Sequence, residues 1–420
     1  MQMKQFGVKY WVYFLLFFFV FYFENGIKFG GLSLAAVWKM PILVYLFFFM
    51  VKNTRKKIPL FIKVNTLYSF KQFFNPYLLA NLGIAIDSFS RYIVQSLFFV
   101  YFKYKYKGRE IQLERMLYVL SQFVVLASLP VLLGILEPFV EKIDTSRYGI
   151  EGLEYFSGIF GTYHTASAYY SMTTVFFVYR LVNKIGKNGE NKWDLLFLLL
   201  SSYMLFLTYV RTGWIMALLG ILFVVKPKTM TFSKKIKYAI ILCFLFLGIF
   251  VFYANNELFR ARITNRDVYA STEQKVDISG SGRTQYWSNG VALWGNSDFD
   301  ELLFGCGIDK VLDNNYKTTG MKIISHSEFV DALAQQGLIA FVLLLLFYFY
   351  LYKYIARRKH SKYYNLSFSM LIMLFLFSFF QGRVPFLAQI LSTIVFVLLD
   401  FDSKSIIKYN DENINCSAIV

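Results

Sequence analysis

Two arginines and two histidines stand where apolar stretches begin or end, and their types suit one kind of reaction. Arg211, in Leu207-Thr208-Tyr209-Val210-Arg211-Thr212-Gly213-Trp214, separates two apolar runs. A guanidinium stays charged at every physiological pH and grips phosphate oxygens with a two-pronged fork. An arginine at a membrane boundary can also serve simply by reaching headgroups. Arg283 follows Ser279-Gly280-Ser281-Gly282, with Trp287 four residues on. The glycines permit a tight turn or a close approach of backbone N–H groups to an anion, although such turns are common in loops. His326 lies in Ser325-His326-Ser327-Glu328-Phe329, just ahead of an apolar run. Imidazole is the side chain best suited to proton transfer near neutral pH. Glu328 can orient it, or can be an ordinary acid in a first helical turn. His164 follows Gly161-Thr162-Tyr163, and Arg91 stands four residues after Asp87, the spacing of a one-face helical ion pair. Together these residues suit displacement of a diphosphate leaving group. Arginines offset the phosphate charge and a base takes the proton of an acceptor hydroxyl, with no metal demanded. No nucleophile elbow, P-loop or glycosidase-like acidic dyad is present.

The elements that must position these side chains are membrane helices. Of 420 residues, 57% are hydrophobic and only 17% charged, against roughly 25% charged in soluble domains. That excludes a disordered chain and a soluble enzyme of ordinary make-up. Apolar spans run over about 8–23, 32–51, 82–102, 113–136, 157–179, 194–210, 212–226, 237–254, 329–352, 364–381 and 384–400, each near the roughly 20 residues that cross a bilayer. Residues 194–226 are too many for one helix, so two helices with a tight outer turn at Arg211 are expected. Three cysteines without ligand spacing indicate neither a metal site nor a disulfide framework.

The net charge of +18 gathers in short clusters around 52–57, 103–109, 184–192, 226–237 and 353–362. Lysine and arginine mark the cytoplasmic loops of a membrane protein; a nucleic-acid surface would need one long basic face. Keeping 52–57 and 103–109 on the same side requires a further crossing in the poorer stretch 60–80, which holds Lys63 and Lys71. An interior-facing helix tolerates such residues. The expected fold is an all-α polytopic membrane protein of about twelve helices, both termini cytoplasmic. Nine helices occupy 1–254, three occupy 326–400, and 401–420 is a cytoplasmic tail. Residues 255–325 form one large extracytoplasmic loop. Its eight basic and nine acidic residues, with Trp287, Trp294 and Phe304, suit a folded cap better than a tether.

In order, Gly161-Thr162-Tyr163-His164, Tyr209-Val210-Arg211-Thr212-Gly213, Ser281-Gly282-Arg283 with Trp287, Leu303-Phe304-Gly305-Cys306-Gly307 and His326-Ser327-Glu328-Phe329 with Gly337 resemble the O-antigen ligase and O-antigen/capsule polymerase superfamily. The resemblance covers roughly 155–350. It departs at Ser327, where the family often has Asn. It implies a helical membrane bundle with an extracytoplasmic cap, at the outer face of the bacterial plasma membrane. It also implies inverting transfer of glycans from undecaprenyl diphosphate, without metal or nucleotide. Arg211 and Arg283 then look like diphosphate ligands and His326 like the catalytic base. His164, Arg91, Glu328 and Trp287 are further candidates for substrate contact. A repeat-unit polymerase is the first expectation, and a ligase to lipid A core is the second. A flippase or transporter is the rival of another class, although no internal repeat points to one. A flippase and a chain-length regulator are expected partners; nucleic acid is not.

Overall fold

The computed structural model describes residues 8–24, 27–29, 32–53, 57–74, 82–138, 155–183, 190–225, 253–255, 283–320 and 322–417. Most of the expected span 237–254, most of 137–152 and the first part of the large loop therefore lie outside the described residues.

The described chain is helical apart from one two-residue antiparallel pairing. The aromatic run Val8–Phe23 forms α1. A tight hairpin of β1 (Lys28–Phe29) and β2 (Leu32–Ser33) pairs Lys28 with Ser33 and turns the chain into α2, Leu34–Lys52. Then come α3 (Leu60–Lys71), α4 (Leu82–Lys105), α5 (Glu110–Leu132), α6 (Tyr163–Val182), α7 (Glu190–Leu207) and α8 (Arg211–Val225). The latter part of the large loop folds as α9 (Arg283–Gly295), α10 (Phe299–Phe304) and α11 (Ile308–Thr319). The chain closes with α12 (Glu328–Ala356), α13 (Tyr364–Phe380) and α14 (Phe386–Ser417).

Among the described residues, three helices are long and apolar enough to cross a membrane: α5, α12 and the first 18 residues of α14. Shorter apolar helices are Trp11–Phe23, α8 and α13. Leu15, Leu16, Phe48, Leu199 and Leu222 lie on the outside, an arrangement that water disfavours and acyl chains accept. At the centre α14 is buried almost all round, with Leu391, Ile394, Val395 and Phe396 at 0–1% exposure. It packs against α4 and α5, while α8 is clasped between α6 and α13.

Several boundaries differ from the sequence expectation. The helix expected from 157 starts at Tyr163, because Gly158 takes a left-handed φ of 57° and Thr162 caps the first turn by accepting from Thr165 N. Residues 194–226 do form two helices, joined by 208–210. In the stretch 60–80, α3 has 12 residues, or roughly 18 Å of helix, followed by a 3-10 turn to Phe74. It faces inward, with Phe61, Asn65, Tyr68, Ser69 and Lys71 buried. Beyond 400 no Pro or Gly interrupts the chain, and the expected tail continues α14 as far as Ser417.

The largest departure is in α12. Gly337, at φ 84° and ψ 174°, breaks it into 328–336 and 338–356. A break frees carbonyls that need donors. Cys306 N reaches Ala334 O at 3.2 Å and Gly307 N reaches Gln335 O at 3.1 Å. The buried Lys71 ammonium supplies Gln336 O, and also Phe304 O at 2.8 Å. The Leu303–Gly307 stretch thereby docks on the break, and α3 clamps both.

Candidate functional site

The candidate residues sit at helix beginnings. His164 is the second residue of α6, Arg211 and Arg283 are the first residues of α8 and α9, and His326 lies two residues before α12. Helix N-termini carry unpaired N–H groups and a partial positive charge, which favours anions.

His326 and His164 come together, with ring centroids 6.4 Å apart. Tyr163 lies against His164 at 4.1 Å. Arg283 stands close enough to His326 for its charge to act on the imidazole. Burial first, and the guanidinium second, hold His326 down to a pKa of about 4. The ring is therefore neutral at physiological pH and able to accept a proton.

Arg283 and Thr212, the residue after Arg211, meet the same end of α13. Arg283 Nη1 donates to Phe380 O at 2.7 Å. The next residue, Gln381, donates through Nε2 to Thr212 Oγ1 at 2.9 Å, beside Arg211. The start of α8 is fixed locally. Tyr209 adopts φ 53° in the turn, and Thr208 Oγ1 accepts from Val210 N. Gly213 is so close to Ser167 that a Cβ would stand 2.9 Å from that side chain. Ser171 Oγ donates to Gly213 O at 2.9 Å, tying α8 to α6.

His326 itself has a left-handed φ of 55°, costly for a residue with a Cβ. Its neighbours hold it there. Ser325 Oγ bonds Asp331 Oδ1 at 2.7 Å and accepts from Ser327 N at 3.1 Å. Ser325 O accepts from Trp287 Nε1 at 3.0 Å, and Trp287 packs on Phe379 and Phe380. The indole N–H of Trp287 is thus committed to the His326 turn.

Glu328 points to a different partner. Its Oε2 accepts from Ser378 Oγ at 2.5 Å, and it lines a small interior cavity of about 30 Å³ with Arg91, Tyr92 and Arg383. The turn before α12 is held by Asp331 instead. Arg91 has an exposed side chain on that cavity; the side chain of Asp87 is outside the described residues. Arg383 was not singled out in the sequence. It donates to Tyr92 Oη at 2.9 Å and lies 4.1 Å over that ring. Its signal resembled that of Arg211, a cation in the short turn Gly382-Arg383-Val384-Pro385 between two apolar runs. Asp331 and Ser325 offered no comparable signal, since their role arises only when the chain turns back on itself. Among the described residues no group of three or more His, Cys, Asp or Glu is arranged to hold a metal ion.

The family model described as O-antigen ligase matches residues 196–345. That stretch carries Arg211, Arg283, His326 and the break at Gly337, and its match supports an O-antigen ligase/polymerase type of glycosyl transfer at the family level. No curated protein matches the chain.

Proposed function

With residues 196–345 matching the O-antigen ligase family, we propose that the protein polymerises oligosaccharide repeat units carried on undecaprenyl diphosphate, at the outer face of the bacterial plasma membrane. The observation that supports this most is the meeting of His164, His326 and Arg283, with Arg211 tied to the same end of α13 through Thr212. On this reading the chain crosses the bilayer about twelve times with both termini cytoplasmic, and segment 255–325 caps the outer side.

An acceptor sugar hydroxyl gives its proton to His326 while its oxygen attacks the anomeric carbon of the donor glycan. The bond from that carbon to the diphosphate oxygen breaks, and the electron pair leaves with the diphosphate. Arg211 and Arg283 offset the charge that grows there, aided by the N-termini of α6, α8 and α9. His164 and Trp287 shape the wall of the site. A neutral His326 suits the base role. A bound diphosphate beside Arg283 would weaken the guanidinium's hold and raise the basicity of the imidazole once donor is present.

The family description favours one second reading, transfer of the finished glycan to lipid A core. The test is reconstitution of the full chain in vesicles with lipid-linked repeat units, with and without lipid A core. A glycan ladder without core supports polymerisation. Product formed only on the core selects the ligase. Normal ladders from Arg211→Lys and Arg283→Lys would remove the shared diphosphate site, because an ammonium cannot reproduce the planar fork.

A further inference from the structure

At the opposite end of the bundle, a groove of about 690 Å³ opens between the ends of α2 and α4 and the start of α5. Lys52, Lys105, Lys107 and Arg109 line it, together with aromatic rings of α2 that include Tyr45 and Phe48. Elsewhere at this end cations meet carboxylates. Arg358 and Lys103 share the buried Asp400 at 2.8 and 3.3 Å, Arg180 holds Asp194 at 3.0 Å, and Lys362 reaches Glu114 at 3.8 Å. The four cations of the groove have no ion pair among the described residues. Lys52 and Lys105 also offset the carbonyls at their helix ends, so a single lysine there is unremarkable. Four cations around one groove are another matter, since a single anion seated there meets all four.

The rings identify the source of that anion. Tyr45 and Phe48 are 57% and 67% exposed, on the side of α2 that faces acyl chains in a bilayer. A soluble phosphate compound would leave them idle, whereas a lipid covers them while its headgroup meets the cations. We propose that this groove binds the phosphate headgroup of an anionic phospholipid of the cytoplasmic leaflet. Basic pockets between membrane helices on that side recognise such lipids. The proposal does not depend on the transfer reaction assigned above; it uses only the charge-derived orientation.

The full chain, purified in neutral detergent, would be titrated with fluorescent cardiolipin, and in parallel with phosphatidylcholine and inorganic diphosphate. Saturable cardiolipin binding is expected, weakened at least about tenfold by the triple variant Lys105→Gln, Lys107→Gln, Arg109→Gln. The control triple Lys353→Gln, Arg357→Gln, Lys359→Gln removes equal charge from the same end and should stay within about twofold of wild type. The variant Tyr45→Ala, Phe48→Ala keeps every cation and every topology signal, and should weaken cardiolipin binding while leaving diphosphate binding unchanged. Equal loss in the two charge triples would overturn the proposal in favour of diffuse attraction. Phosphatidylcholine binding as tightly, or inorganic diphosphate competing with equal affinity, would also overturn it.

Discussion

Gly305 and Gly337 meet backbone to backbone. A Cβ on Gly337 would stand 2.5 Å from the Gly305 nitrogen, and one on Gly305 would stand 2.3 Å from the Gln335 oxygen. Both residues have positive φ, 91° and 84°. Through this contact the Leu303–Gly307 stretch reads the break in α12, and the break sets where 328–336 points. Gly337→Ala or Gly305→Ala should therefore lower the thermal midpoint and expose segment 283–325 to protease. The conformational strain alone is about 1–3 kcal/mol, before any overlap. Gly295→Ala is the control, since a Cβ there meets nothing within 4 Å. Equal midpoints for all three variants would refute the contact.

Lys71 is the donor that closes the break, to Phe304 O and Gln336 O. Lys71→Met keeps the length of the side chain but strands two buried carbonyls, each costing roughly 1–3 kcal/mol. Thermal unfolding should show a loss of that order, with the same protease sensitivity as the glycine variants. A Met variant as stable as wild type would show that water or another group serves these carbonyls.

His326 as base predicts a large kinetic effect with little structural one. A positioned base contributes about 10²–10⁴-fold. His326→Ala and His326→Asn should both lose polymer to that extent while remaining membrane-inserted and folded. An Asn variant making near-normal chains would leave His326 a structural tether.

The ionisation of His326 is open to direct measurement, because the chain has only three histidines. In nitrogen-labelled protein its ring should titrate near pH 4. In Arg283→Gln the value should rise yet remain below the ordinary 6.5, because burial, the larger cause, persists. The folded pKa lies below the unfolded one, so the unfolded chain binds more protons between about pH 6.5 and 4, and this group lowers stability as pH falls through that window. An unchanged titration in the Arg283 variant would separate the two side chains.

Asp331 acts on the base only through Ser325 and the turn that holds φ 55°. Asp331→Asn keeps an acceptor oxygen for the Ser325 hydroxyl and should be mild. Ser325→Ala removes the hydroxyl's bonds to Asp331 and to the Ser327 backbone. It should lower kcat about tenfold or more with KM little changed, since misplacing a base by an ångström costs rate rather than binding. A KM effect alone would assign these residues to substrate contact.

The helical class of fold and the residue types at the candidate site were legible in the sequence because both are matters of local composition. Runs of about 20 apolar residues can satisfy their backbone in lipid only as helices. Permanently charged arginines and a titratable histidine at the edges of those runs declare themselves by type. The two helices on either side of Arg211 were also readable, from length alone. Contacts between distant segments were not. Nothing local marks Gly337 as a break, because the break exists only where Gly305, 32 positions away in the chain, leaves no room for a Cβ. Lys71 reads as a blemish in a poor span until two carbonyls, one from α10 and one from α12, are seen to need a donor. Glu328, two residues from His326, turns to Ser378 and leaves the His326 turn to Asp331. Side-chain direction at a helix start is decided by the partners that tertiary packing brings within reach, and sequence spacing does not carry that information.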